Sequence, residues 1–240
     1  MFFYTLGFAQ SGFTENKGQF NSKVKFQAEL GQFRVYLDKD GFTVLLHDEK
    51  VWGQIAEDFH HYFHGELDSS SEERVLGFQA IKYQFEGASW DRFQTESPQS
   101  TFYNYYLGND PSRWATDVRR FEKVLFQNVY PNIDVEFIVV DTRFKYNFIL
   151  RDGADIEDIQ FSIEGADYVV NKNRITVNTR FGPLDEVMPV SYWVSEDGEE
   201  PADVWYEEVD GKITLRKLRN KKSSTLVIDP ELIFATYSGS

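Results

Sequence analysis

The stretch that decides the fold is "DVEFIVV" at residues 134–140, together with "FKYNFIL" at residues 144–150. In each segment apolar and polar side chains alternate, which is the pattern of a β-strand. The same alternation recurs along the chain, and turn sequences such as "VDGK" (209–212) separate nearly all of its occurrences. This spacing is typical of a sandwich or barrel, and not of strands alternating with helices. We therefore predict an all-β protein, a large antiparallel β-sandwich of two sheets with at most one or two short helices.

The alternating segments give the following predicted strands: 24–30, 32–38, 42–47, 77–87, 123–129, 134–140, 144–150, 159–165, 174–179, 189–194, 203–209, 212–218, 225–230 and 232–237. One short helix is predicted in "DPSRWATD" (110–117), because Asp110 suits an N-cap and Pro111 suits the first helical position.

The composition limits the classes of function. Of the 240 residues 17% are aromatic, and aromatic rings favour strands. The net charge of −14 argues against nucleic acid and against an anionic membrane surface as partners. The chain has no cysteine, which excludes disulfides and thiolate chemistry.

The first ten residues, "MFFYTLGFAQ", are apolar and precede a polar segment. Gly7 and Ala9 are small residues two positions apart, as a signal-peptidase site requires. We interpret residues 1–10 as the tail of a signal peptide, with an apolar first strand as the alternative. Residues 11–240 are then expected to form a single β-sandwich domain, or two β lobes dividing near residues 90–120. No segment reaches the length of a membrane span, so no membrane insertion is expected.

A metal site is one hypothesis for the histidines of "FHHYFHG" (59–65). On a helix His60 and His64 would share one face, as a metal pair does, but a polar strand face explains them as well. "DKDG" (38–41) and "DGAD" (152–155) resemble fragments of calcium loops, although hairpin turns explain both. We expect no cofactor, with a surface calcium ion as an open alternative.

Paired carboxylates are the other candidate chemistry. Asp134 and Glu136 alternate on one strand face, at a separation that glycosidases use for acid and base groups. Since 39 acidic residues produce such pairs by chance, a solvent-facing strand is the simpler interpretation. The sequence contains no phosphate loop, G-x-S-x-G elbow or H-E-x-x-H helix. We expect no catalytic residues.

The most distinctive run is "YNYYLGNDPSRWATDVRRF" (103–121). We favour a structural corner here, in which one helical turn directs Trp114 inward and an arginine meets a carboxylate. The alternative is a ligand-binding site in which exposed rings stack on sugars. The candidate binding residues are Tyr103, Tyr105, Tyr106, Trp114, Arg119 and Arg120.

Five segments carry a family resemblance: "FTENKGQF" (13–20), "YNYYLGNDPSRWATDVRRF" (103–121), "VYPNIDVEF" (129–137), "KYNFILRDGADIEDIQFSIEGAD" (145–167) and "LVIDPELIFATYSGS" (226–240). In this order they resemble the N-terminal uncharacterised β-rich domain of large secreted proteins of Bacteroidetes. That domain often precedes SBBP-type β-propeller repeats, in modular proteins of type IX secretion or gliding motility. The resemblance implies a secreted or cell-surface location and further repeats downstream in a longer parent protein. It implies no catalytic residue.

These observations give three expectations about function. The first is a non-catalytic exported module at the cell surface, which contacts a protein or glycan or supports adjacent repeat domains. The second is a carbohydrate-binding module that uses the tyrosine and tryptophan side chains. The third is an enzyme similar to a glycoside hydrolase that uses an acidic pair.

Overall fold

A computed structural model describes residues 11–31, 33–48, 51–55, 57–58, 75–106, 108–111, 114–141, 143–221 and 223–234. Within these ranges antiparallel strands predominate, and 17 strands belong to one hydrogen-bonded sheet. Residues 51–55 and 57–58 are helical, and a short 3-10 helix spans Ile156–Asp158. The all-β prediction is confirmed.

The strands, in chain order, are β1 (Phe13–Glu15), β2 (Val24–Leu30), β3 (Phe33–Asp38), β4 (Gly41–His47), β5 (Phe78–Phe85), β6 (Phe93–Tyr105), β7 (Ala115–Tyr130), β8 (Ile133–Val140), β9 (Arg143–Leu150), β10 (Gln160–Glu164), β11 (Asp167–Asn171), β12 (Arg174–Thr179), β13 (Gly182–Ser195), β14 (Gly198–Pro201), β15 (Val204–Val209), β16 (Lys212–Lys217) and β17 (Thr225–Phe234).

The pairing of these strands forms a nearly closed ring. From β7 it runs through β1, β2, β3, β4, β5, β10 and β16 to β15. In the other direction it runs from β7 through β8, β9, β17, β13 and β12 to β11. Between β15 and β11 one backbone hydrogen bond bridges the gap, from the Tyr206 N–H to the Lys172 carbonyl (2.9 Å). The two layers expected of a sandwich are therefore opposite walls of one continuous sheet.

Aromatic side chains fill the space between these walls. Phe42 on β4 lies 5.8 Å from Phe137 on β8, and 5.4 and 5.3 Å from Phe144 and Tyr146 on β9, between ring centroids. All four side chains are fully buried. Inward positions of several strands thus contribute rings that pack across the interior, which accounts for much of the aromatic content of the sequence.

The sequence-based prediction omits β6 and shortens β7 and β13. β6 lies in a segment with no predicted strand, β7 begins eight residues before the predicted 123–129, and β13 begins seven residues before the predicted 189–194. The predicted strand 225–230 and the described part of the predicted strand 232–237 are joined in β17, which continues through Pro230; residues 235–237 lie outside the described ranges. Proline lacks an N–H, and the register between β17 and β9 skips this residue.

The helix predicted at residues 110–117 is wrong for its second half. The Trp114 N–H donates to the Pro111 carbonyl (3.1 Å), which closes one tight turn, but β7 already begins at Ala115. From Ala115 onward the backbone pairs with β6, so the helix cannot continue.

Candidate functional site

The distal part of the β6–β7 pair carries the candidate binding residues from the sequence. Here Phe102 pairs with Arg119, Tyr103 with Val118 and Tyr105 with Ala115. Among the described strands, β6 pairs only with β7, so its other edge has no strand neighbour. We call this region, residues 102–106 and 114–120, the hairpin end.

Large aromatic side chains are exposed at the hairpin end. Tyr106 is 62% exposed, Phe102 is 55% exposed and Trp114 is 40% exposed. The rings of Tyr106 and Trp114 meet edge to face at 5.2 Å, and the Trp114 Nε1–H donates to the Gly108 carbonyl (3.2 Å). The expectation that Trp114 points inward is therefore wrong, because the turn directs its ring along the surface.

The remaining predicted residues of this region have structural contacts. The Arg120 guanidinium lies 4.2 Å from the centre of the Tyr103 ring, and its Nε–H donates to Thr14 Oγ1 (3.1 Å) on β1. Tyr105 packs edge to face against Phe20 at 6.2 Å. These half-buried groups fasten the hairpin to the body of the sheet, as the corner interpretation expects.

Arg119 differs from its neighbour because it is exposed. Its backbone N–H donates to Glu15 Oε1 (3.0 Å), and its guanidinium pairs with Asp117 (3.3 Å). An arginine of this run thus does meet a carboxylate. Of the six predicted binding residues, Tyr106, Trp114 and Arg119 are exposed together, whereas Tyr103, Tyr105 and Arg120 are half-buried.

The acidic pair on β8 is held by basic and amide groups. Asp134 is buried and accepts hydrogen bonds from Arg151 Nη2 (2.5 Å) and from the Asn128 N–H (2.9 Å). Glu136 accepts from Asn147 Nδ2 (3.1 Å) and pairs with Lys123 (3.3 Å). Burial alone would raise the pKa of Asp134, but the hydrogen bonds from Arg151 and Asn128 outweigh that effect, and the resulting pKa is below the usual value. A general acid needs the opposite shift.

A buried carboxyl that the sequence analysis missed lies in the centre of the molecule. Glu186 on β13 has no exposed surface, and its Oε1 accepts hydrogen bonds from the hydroxyls of Tyr146 and Tyr206 (2.7 Å each). Its Oε2 and the Tyr83 hydroxyl have no hydrogen-bond partner in the described part of the chain. Burial raises the pKa of Glu186 to about 7, although its hydrogen bonds oppose that rise.

The four side chains of this cluster come from β5, β9, β13 and β15, so they join distant parts of the ring. The sequence does contain a signal for it. Leu184, Glu186 and Met188 alternate at inward positions, but the predicted strand began only at residue 189. Because Glu186 has no exposed surface, the cluster acts as a polar element of the core.

Comparison with known proteins places the chain in one family. The model of a family described as "Domain of unknown function (DUF7948)" matches residues 13–231. The chain belongs to this family. Neither the curated proteins nor the solved structures contain a significant match. The matched range of the DUF7948 family includes the hairpin end, the acidic pair and the Glu186 cluster.

The next residues to consider in this DUF7948 member are the predicted metal ligands. His60 and His64 lie outside the described residues. Within the described ranges, no group of three histidine or acidic side chains could hold a metal ion. In the two calcium-like turns, Asp38 accepts from the Asp40 N–H (2.8 Å) and Asp155 accepts from the Glu157 N–H (3.0 Å), which is turn and cap chemistry.

Among the residues described by the structure, no helix is both long enough and apolar enough to cross a membrane.

Proposed function

We propose that this protein is a non-catalytic, exported surface module that binds a partner protein through the hairpin end. The observation that supports it is the joint exposure of Phe102, Tyr106 and Trp114 beside Arg119. Aromatic side chains and arginine are the residue types that contribute most to protein interfaces. The core does not need these rings, because buried side chains elsewhere fill it.

Export and a position before β-propeller repeats are further parts of the proposal. They rest on the resemblance to N-terminal domains of secreted Bacteroidetes proteins. Such a module would support the neighbouring repeats through its rigid sheet and leave the hairpin end free for contact.

The test is a quantitative binding assay on intact cells of the species that encodes the protein. Fluorescently labelled protein is titrated onto the cells, and the double variant Tyr106→Ala/Trp114→Ala is compared with Val169→Ala/Val190→Ala, which truncates two exposed apolar side chains elsewhere. We expect the hairpin variant to lose at least about tenfold in affinity, which is about 1.4 kcal/mol. If both variants bind equally well, the hairpin end is not the binding surface.

Carbohydrate binding is the second candidate, and one observation favours it. The perpendicular Tyr106 and Trp114 rings are exposed on one turn, and exposed rings of this kind can stack on the apolar face of a sugar. A glycan array with Trp114→Ala, and with Trp205→Ala as the control, separates the two candidates. Trp205 is half-buried, with Lys172 Nζ 5.8 Å from its ring centre. A signal that is lost in Trp114→Ala and kept in Trp205→Ala would support carbohydrate binding. An array with no signal would favour a protein partner.

The hydrolase hypothesis has the least support. Asp134 and Glu136 are both engaged by basic side chains, and the pKa of Asp134 is lowered. The carboxyl with a raised pKa, Glu186, has no exposed surface.

A further inference from the structure

We propose that a basic cleft, far from the hairpin end in the sequence, binds a small organic polyanion. Its walls are formed by residues 150–157 and 216–221, and Trp193, Ser224 and Leu226 complete its lining. The proposal goes beyond the interaction function above and does not depend on it.

Basic side chains outnumber acidic ones in the lining of the cleft, whereas the whole protein is acidic. Five basic and three acidic side chains line it, whereas the chain has a net charge of −14. The reason lies in the sequence, because residues 211–228 contain six Lys or Arg and no Asp or Glu. Basic side chains that gather at one place on an acidic molecule attract anions there.

Ion pairs fix the two walls of the cleft relative to each other. Arg216, on β16, pairs with Glu157 (2.5 Å) of the 3-10 helix on the opposite wall and also with Glu207 (2.6 Å). On the same side as the helix, Arg151 is fixed by the buried Asp134 (2.5 Å). These arginines are neutralised and serve as scaffold, so the cleft is largely formed before any ligand arrives.

Two other cations have donor capacity left. Lys217 is half-buried and has no carboxylate within 4.0 Å among the described residues. Burial lowers its pKa, against the opposing effect of Asp155 and Glu157. Arg219 shares the single carboxylate of Glu200 with Lys221, at 3.8 Å against 2.9 Å for the lysine. An anion in the cleft would give Lys217 a direct counter-charge and would give Arg219 one that it does not share with Lys221.

The size of the cleft selects among anions. Its volume is about 670 Å³, within the usual range of small-molecule sites. At its base lie the apolar side chains of Leu150, Leu226 and Trp193, and the last of these is 4% exposed. The ligand is therefore a compact molecule with more than one acidic group, and its carboxylates or phosphates pair with Lys217 and Arg219.

Isothermal titration calorimetry at low ionic strength tests this, with inorganic pyrophosphate and trigalacturonate as probes. Binding by the first identifies phosphate as the acidic group, and binding by the second identifies carboxylate. Lys217→Ala and Arg219→Ala should each raise the Kd about tenfold or more, since each removes a charge-assisted hydrogen bond. Added salt should weaken binding as well.

The control is Lys39→Ala, which removes the same charge from an exposed turn outside the cleft. It should leave the Kd unchanged. Arg219 is exposed, so its variant remains informative even if Lys217→Ala perturbs folding. The proposal is overturned if neither probe binds, or if Lys39→Ala weakens binding as much as the cleft variants do.

Discussion

The carboxyl of Glu186 is the single side chain whose chemistry departs most from its surroundings. It is surrounded by the rings of Tyr83, Tyr146 and Tyr206, and burial raises the pKa of each tyrosine well above its usual value. The three tyrosines therefore keep their hydroxyl protons across the ordinary pH range. Only the carboxyl changes its charge near neutrality, so the core has one titrating group at this position.

Glu186→Gln should change how stability depends on pH. The pKa of Glu186 in the folded protein is about 7, against 4.5 for an ordinary glutamate, so the folded state retains a proton that the unfolded state releases. The stability contributed by this group therefore falls as the pH rises from about 4.5 to 7. We expect the variant to be more stable than the wild type at pH 8, by up to about 3 kcal/mol, and similar at pH 4.5.

Urea unfolding at both pH values measures this difference. Glu164→Gln, at the exposed end of β10, is the matched control and should follow the wild type. A Glu186→Gln protein whose stability falls with pH as steeply as that of the wild type would show that the pKa of this carboxyl is the same in the folded and unfolded states.

At the scale of elements, the turn between β10 and β11 shows how closely the strands pack. Gly165 has a φ of +101°, and a Cβ built on it would lie 2.0 Å from the Ala80 carbonyl oxygen on β5. Only glycine allows both this backbone conformation and this approach. The turn therefore fixes where β10 leaves β5 and where β11 begins.

Gly165→Ala should lower the free energy of unfolding by at least about 2 kcal/mol, because it adds backbone strain and a contact with the β5 backbone. Gly87→Ala is the comparison, since Gly87 also has a positive φ (+67°) but a Cβ there meets no atom within 4 Å. Its loss should be about 1 kcal/mol, from backbone strain alone. Thermal unfolding of the two variants measures the difference, and equal losses would contradict the close approach at Gly165.

How much the sequence predicts depends on burial. β8 and β9 were predicted nearly to the residue, because each buries one face against the core. β6 has mostly exposed side chains and contains Pro98, so no alternation marks it. The first half of β13 contains Pro183, Asp185 and Glu186, and only the partners of Glu186 across the core explain a carboxyl at an inward position.

The candidate sites follow the same logic. The sequence indicated the hairpin end through its aromatic residues, but not which rings are exposed, because that depends on the turn at Gly108 and Pro111. It gave no indication of the cleft, although the run of basic residues at 211–228 was visible. That run becomes a cleft only because residues 150–157 lie opposite it.

At the scale of the whole molecule, a single ring of strands encloses a single core. Apart from Ala115 and Val118 of the hairpin end, the described buried apolar side chains form one cluster, which extends from Phe13 on β1 to Leu232 on β17. β1 pairs with both β2 and β7, and β17 pairs with both β9 and β13, so the first and the last described strands both lie within the ring. The hairpin end and the basic cleft are both carried by this one body.

Urea unfolding followed by both far-ultraviolet circular dichroism and tryptophan fluorescence tests this central claim most directly. Circular dichroism reports on all the strands, whereas fluorescence is weighted toward tryptophans packed in the core, such as Trp90 and Trp193. Because the sheet is continuous and its core is shared, we predict one transition with the same midpoint for both signals. Two transitions at separate urea concentrations, each with part of the circular dichroism change, would contradict the account and indicate two independent lobes.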